Sequence, residues 1–374
     1  MKIVFLSNFY NHHQSLISEK LYELTDGNYR FIETAPMPED RKKLGYQEKK
    51  APFLISYHQE EEVREALAWI EEADVVIVGS APEFLLKKRK SAKKVIFRYS
   101  EHPLKQGNQL WKYPLRWMKW HYHNLPGSPI YMLCASAYTA SEYKKFGLFK
   151  NRTYRWGYFP ECKIYENAEK LIAEKNKTEI LWCGRFLDWK HPDDVLNLAQ
   201  RLKADGAKFH INIIGTGEME EELKDIYLKN DLSDVVSFCG SMSPSDVRAH
   251  MEKSGIYLMT SDHKEGWGAV VNEAMNSGCA VVATLQAGSV PFLIQNNVNG
   301  LTYHAGNVEE LYHHVKYLLE EQSEQNRLGW EAYRTISELW NADLAATRLF
   351  SLCEYILNGE NRTDLFAEGP CSKS

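Results

Sequence analysis

The sequence holds no apolar run near the ~18 residues that a membrane-spanning helix requires. Its opening stretch, Met1-Lys2-Ile3-Val4-Phe5-Leu6-Ser7, has too short an apolar core for a secretory leader. Cysteine is sparse: seven residues, at 134, 162, 183, 239, 279, 353 and 371 of 374. An odd, scattered set excludes a disulfide scaffold and reads as reduced thiols in a cytosolic protein, several of them core packing. There is no short-period repeat and no low-complexity stretch. His102, His121 and His123 lack the cysteine or carboxylate partners of a zinc site. What is present is ordinary for a globular chain: 44% hydrophobic and 25% charged residues exclude a disordered tail or a collagen-like rod. At this length two domains are the natural expectation.

Charge is uneven. Residues 1–165 hold 26 Lys and Arg against 18 Asp and Glu, a net of +8, whereas the remainder nets −13. Such asymmetry implies that the halves face different partners. Much of the positive excess lies in 87–122, where Lys112, Arg116 and Lys119 alternate with Trp111, Tyr113, Trp117, Trp120 and Tyr122. Two readings stay open for this segment. One is a solvated basic face over a few buried aromatics; the other is a surface that meets an anionic membrane, a lipid-linked diphosphate or nucleic acid.

Strand and helix patterns alternate along the chain. Residues 2–7, 74–79, 95–98 and 130–134 read as buried strands, with helices over 15–24 and 60–72. In the second helix Val63, Ala66, Leu67 and Ile70 recur at helical spacing. The second half keeps the rhythm more cleanly, with strands at 180–183, 209–214, 235–239, 256–260 and 279–284. Between them run helices over 194–203, 218–228 and one opened by Ser243-Pro244-Ser245-Asp246, a serine cap followed by proline and an acid. This alternation predicts an α/β chain with a doubly wound parallel sheet in each half.

The chemistry concentrates after residue 180. Glu265-Gly266-Trp267-Gly268-Ala269 follows a strand and opens a helix containing Glu273. The glycines permit close backbone approach, and a helix start favours an anion. The two carboxylates would flank the helix mouth, with Glu273 about a turn and a half inside. Gly184-Arg185-Phe186-Leu187-Asp188-Trp189-Lys190 follows another strand, and Arg185 and Lys190 are suited to clamp phosphate oxygens. Both loops would emerge where open α/β sheets bind ligands, outside the carboxyl ends of strands. Ile214-Gly215-Thr216-Gly217 is a further glycine turn at that edge.

Taken in order, these segments resemble the donor-binding half of retaining glycosyltransferases of the GT-B fold, family 4 (group 1) type. The likeness continues through Phe238-Cys239-Gly240, Asn272-Glu273-Ala274-Met275, Ser277-Gly278-Cys279-Ala280-Val281-Val282-Ala283, Gly288-Ser289-Val290-Pro291 and Asn299-Gly300. The resemblance implies two Rossmann-like domains, 1–168 and 169–342, with helices of about 343–374 returning to the first and a nucleotide-sugar site in the cleft between them. It implies transfer of a sugar from a UDP- or GDP-sugar to a hydroxyl acceptor in surface-glycan synthesis, without a metal or other cofactor and without nucleic acid as partner. By this resemblance Arg185 and Lys190 hold the diphosphate and Glu265 positions the sugar as the catalytic orienting group. Glu273 takes the ribose, with Gly215, Gly266, Trp267, Gly268 and Ala269 lining the donor. A glycan or lipid-linked acceptor would sit on the first half, where Glu101, His102 and a loop histidine, His13 or its neighbour His12, are the candidates. That loop, Ser7-Asn8-Phe9-Tyr10-Asn11-His12-His13-Gln14, lacks the glycine pair usual there. An epimerase or a catalytically silent nucleotide-sugar binder on the same fold is the rival expectation.

Overall fold

Short runs of Val, Ile and Leu, buried on both faces, build two separate parallel sheets. The computed structural model describes residues 1–39, 49–107, 109–125, 127–359 and 364–374. The chain divides into two units, Met1–Pro160 with Asn341–Ser374, and Glu161–Trp340.

In the first unit seven strands lie in the order β3-β2-β1-β4-β5-β6-β7. They are β1 (Ile3–Ser7), β2 (Tyr29–Glu33), β3 (Leu54–Ser56), β4 (Val75–Val78), β5 (Val95–Ser100), β6 (Ile130–Cys134) and β7 (Thr153–Arg155). Central β1 pairs in parallel with both β2 and β4, setting Ile3 opposite Tyr29 and Val75. Helix Val63–Glu72 buries Ala66 and Ile70 against this sheet, as its spacing predicts. The terminal helix Ala342–Leu357, capped by the Asn341 side chain on the Leu344 N–H at 2.9 Å, packs on helix His12–Leu24.

In the second unit six strands lie in the order β10-β9-β8-β11-β12-β13. They are β8 (Asn176–Cys183), β9 (His210–Ile214), β10 (Val236–Phe238), β11 (Ser254–Met259), β12 (Ala280–Thr284) and β13 (Leu301–Tyr303). Helix Pro192–Ala204 buries Val195, Leu198, Ala199 and Leu202 on this sheet. Helix Pro244–Lys253 starts where the sequence expects: the Ser243 hydroxyl accepts the Asp246 N–H at 3.2 Å. In each unit the strand order reverses beside the first strand, between β1 and β4 and between β8 and β11. That reversal opens a crevice at the carboxyl ends of those strands.

Several expectations shift. The strands β2, β3, β7 and β13 are additional to those read from the sequence, and three of them are only three residues long. The domain boundary falls at Pro160 rather than 168, because 161–167 is tied to the second unit: the Lys163 N–H donates to the Asn276 side chain at 2.8 Å, the Tyr165 hydroxyl to Glu252 at 2.8 Å, and the Tyr165 ring packs beside Tyr333. The loop histidines are helical: Asn11 caps the helix from His12, its side chain accepting the His13 N–H at 2.9 Å. All seven cysteines are free.

Candidate active site

In the second unit the loops leaving β8 and β11 are fastened to each other. The Thr260 hydroxyl, which accepts the Trp182 indole N–H at 2.8 Å, donates to the Lys190 carbonyl at 2.5 Å. The Asp262 N–H donates to the Trp189 carbonyl at 2.9 Å, and Lys264 reaches Asp188 at 3.3 Å. Residues 188–190 form a tight turn ended by His191 in the left-handed region (φ 47°). This strap carries Lys190 to Glu265, with Nζ 2.6 Å from Oε2 and both side chains mostly buried. The Ser261 hydroxyl donates to the same carboxylate oxygen at 3.2 Å, and Lys190 also lies over the Trp189 ring at 4.6 Å. The two residues to which the resemblance gives separate duties, phosphate and sugar, are therefore paired with each other.

Gly268 explains how Glu265 comes so close to the sheet. Its φ of +88° is left-handed, and a Cβ there would stand 2.7 Å from the Met259 terminal methyl and 3.4 Å from the Glu265 Cγ. Gly215 has a different duty: a Cβ there would overlap the Gly184 carbonyl oxygen, so its lack of a side chain lets the β8 and β9 ends cross. Arg185 is exposed, and among the described residues no ion pair engages its guanidinium.

Helix Val270–Asn276 begins at Ala269 without a side-chain cap, so Glu273 lies in its first turn, not a turn and a half inside. Burial raises the Glu273 carboxyl above the ordinary range, with Arg248 opposing. Arg248 donates instead to the Asn276 side chain at 2.8 Å and to the Glu161 carbonyl at 3.0 Å, pinning the helix. Glu265 and Glu273 both raise the buried Tyr257 phenol after burial itself, and Glu273 and Lys190 push the Cys183 thiol in opposite directions. The Lys190–Glu265 pair thus lies by the ends of β8 and β11, with Arg185 exposed in the loop after β8 and Glu273 near enough to act on the same Cys183 thiol as Lys190. Trp267 does not join them with its ring. Its indole is 1% exposed, donates to the Asn272 side chain at 2.9 Å and packs beside Phe292 and Trp340.

The first-unit candidates gather at the matching edge of their own sheet. Tyr158 donates to Glu101 at 2.8 Å, Lys105 pairs with the other Glu101 oxygen at 2.6 Å, and the His13 ring stacks on Tyr158 at 5.4 Å. Burial lowers the His12 pKa, with Lys49 adding to the effect. His102 is buried apart from this group, its Nδ1 3.1 Å from Glu142, while its Nε2 has no hydrogen-bond partner among the described residues. Tyr158, Ser261 and Arg248 were not legible as site residues, since none sits in a glycine turn or motif. Among the described residues no three His, Cys, Asp or Glu side chains converge as metal ligands.

The architecture is that of GT-B glycosyltransferases: two parallel-sheet, Rossmann-like units. A structure of Anabaena Alr3699/HepE in complex with UDP matches 95% of this chain and 100% of its own, with a TM-score of 0.69 and 14% identity. Residues 164–335 match the family described as glycosyl transferases group 1, and they hold every second-unit residue discussed above except Glu161 and Trp340. An uncharacterized glycosyltransferase of Haemophilus influenzae is 32% identical over 47% of this chain and 51% of its own length. The amylovoran biosynthesis glycosyltransferase AmsK of Erwinia amylovora is 28% identical over 39% and 37%. The chain thus spans about half or less of these curated relatives.

Proposed function

We propose that this protein is a retaining glycosyltransferase that moves a sugar from a nucleoside diphosphate sugar to a hydroxyl group during surface-polysaccharide or lipopolysaccharide assembly. The observation that carries the reading is the Lys190–Glu265 pair at the strand-order reversal between β8 and β11, with Arg185 in the loop after β8 and Glu273 in the helix that follows the Glu265 loop, inside the segment that matches group 1 glycosyltransferases. UDP in the Anabaena structure makes a uridine diphosphate sugar the first donor to test. AmsK's printed role in amylovoran biosynthesis supports a polysaccharide setting.

In the proposed step Arg185 and Lys190 bear on the diphosphate, and Glu265 is released from Lys190 to accept sugar hydroxyls. The acceptor oxygen bonds to the anomeric carbon on the face from which the diphosphate leaves. As that carbon–oxygen bond breaks, the acceptor's proton passes to the departing phosphate oxygen, so no separate protein base is needed. The cations stabilise charge as it develops on the leaving group. Glu265 works through orientation rather than as a nucleophile. Transfer is therefore expected to survive EDTA, measured with a labelled donor; abolition by chelator and rescue by Mg²⁺ or Mn²⁺ would count against it. Incubation with and without acceptor sorts the rivals: epimerisation needs none, and a silent binder turns over neither.

Glu273 gives a pH signature. Ribose hydroxyls donate to a carboxylate, so donor binding favours the ionised form of a group that burial keeps protonated to higher pH. Donor affinity should be full above the raised Glu273 pKa and fall as pH drops through it. Calorimetric titration across acid to neutral pH checks this, and Glu273→Gln should bind more weakly with the pH dependence gone. An unchanged profile in that variant would remove Glu273 from the donor site.

A further inference from the structure

Helix Tyr113–His123 has one face toward the core and one that no described residue of its unit covers. Tyr113 stacks on Phe146 at 4.5 Å and Trp120 meets Phe146 edge-on at 4.5 Å, fixing the inner face. On the other face Leu115, Met118 and Tyr122, together with Trp111 in the turn Leu110–Lys112 that leads into the helix, are 64%, 61%, 75% and 71% exposed. Their spacing of four, three and four residues is one stripe along a helix. Six of the twelve large apolar side chains exposed among the described residues fall within 111–125, so this is a concentrated patch and not scattered surface.

The charge within the segment that carries the stripe is of one sign. Between Glu101 and Glu142 the sequence carries no Asp or Glu, and Lys112, Arg116 and Lys119 lie among the apolar residues. The Lys112 ammonium sits 4.7 Å from the Trp111 ring. The neighbouring basic residues of 87–98 are largely committed elsewhere. Arg89 is 1% exposed and spends its guanidinium on carbonyls, Lys90 and Arg98 pair with Glu83, and Lys88 pairs with Glu71. The surface is thus narrower than the basic run of 87–122 suggests.

We propose that this stripe is an interfacial membrane anchor. Trp111, Leu115, Met118 and Tyr122 enter the headgroup region of a bilayer, and Lys112, Arg116 and Lys119 bind its anionic lipids. An exposed apolar face flanked by Lys112, Arg116 and Lys119, with aromatic residues at both ends and no acidic residue within 102–141, matches an anionic lipid surface in its chemistry. No helix among the described residues is long and apolar enough to cross a membrane, so the attachment lies along the surface. The proposal stands apart from sugar transfer, since its test needs neither donor nor acceptor.

The test is flotation of the full chain with vesicles of phosphatidylglycerol and phosphatidylcholine, and with phosphatidylcholine alone. Binding is expected only to the anionic vesicles and should be lost at high salt. The triple variant Lys112→Glu, Arg116→Glu, Lys119→Glu should weaken it by roughly a hundredfold or more, the combined effect of three cations near such a surface. The variant Trp111→Ser, Leu115→Ser should also lose binding, with circular dichroism unchanged because both side chains are exposed. Failure to bind either vesicle overturns the proposal, as does binding that both variants retain. A concentration-dependent dimer abolished by the serine variant, without vesicle binding, would assign the stripe to a second copy of the chain instead.

Discussion

Glu265→Ala and Arg185→Ala should each lower sugar transfer by at least ~tenfold, because a charge-assisted hydrogen bond at such a site contributes roughly 1.5–3 kcal/mol. The two losses should differ in kind. Arg185 is exposed and unpaired among the described residues, so its removal leaves folding stability unchanged and the whole effect falls on donor binding and turnover. Glu265 holds Lys190 at 2.6 Å and accepts the Ser261 hydroxyl, so Glu265→Ala also strands a mostly buried ammonium. Glu265→Gln keeps the shape and loses the charge, separating the lost orientation of the sugar from loosening of the strap. The measurement is kcat/KM with a uridine diphosphate sugar, beside thermal melting of each variant. Near-normal turnover in both alanine variants would falsify the site assignment.

Arg89→Met should destabilise the protein by about 3 kcal/mol, among the larger effects of a single substitution. The Arg89 guanidinium donates to the carbonyls of Ala73 at 2.6 Å, Asp74 at 2.7 Å and Val95 at 2.7 Å, tying helix Val63–Glu72 to β4 and β5. Burial drops its pKa to about 10, which leaves it charged at neutral pH. Methionine fills much of the same space but donates nothing, so these buried carbonyls lose their partner. Urea unfolding gives the free energy directly. A change below about 1 kcal/mol would mean that the carbonyls find other donors, as buried groups paired with backbone rarely do.

Arg89 also shows where reading the sequence stops. In the one-dimensional record it is one cation in a basic run, indistinguishable from Lys87 or Lys93, and only the packing of 70–74 and 95 around it reveals a buried clamp. Strands such as Val75–Val78 and Ile130–Cys134 were legible because burial on both faces demands unbroken apolar runs. β3 and β13 were not, since three residues of ladder leave no period to detect. The same split runs through the site. Glu265, Glu273, Arg185 and Lys190 announce themselves by sitting in glycine turns after strands. Their mutual pairing does not, because a contact across 75 residues depends on the parallel register of Leu181 with Tyr257 and Trp182 with Leu258. Trp267, which the resemblance sets among the residues lining the donor, has its ring buried beside Trp340, a packing that its position between two glycines does not reveal.

The order of the units along the chain bears on how such a protein can be rebuilt. Glu161–Trp340 is one uninterrupted stretch, while the first unit is closed only when Asn341–Ser374 comes back, the Thr153 hydroxyl donating to the Ser374 carbonyl at 2.9 Å. The second unit is in effect an insert within its host, and inserts of this kind can be swapped as cassettes. A chimera exchanging donor specificity should therefore be joined at Pro160/Glu161 and Trp340/Asn341, keeping both fragments of the host. Joints at 168 and 342 would cut helix Ala168–Ala173 after its first residue and separate Tyr165 from Tyr333, with which it packs. A simple truncation after Trp340 would cost the first sheet its closing segment while leaving every residue of the second unit in place.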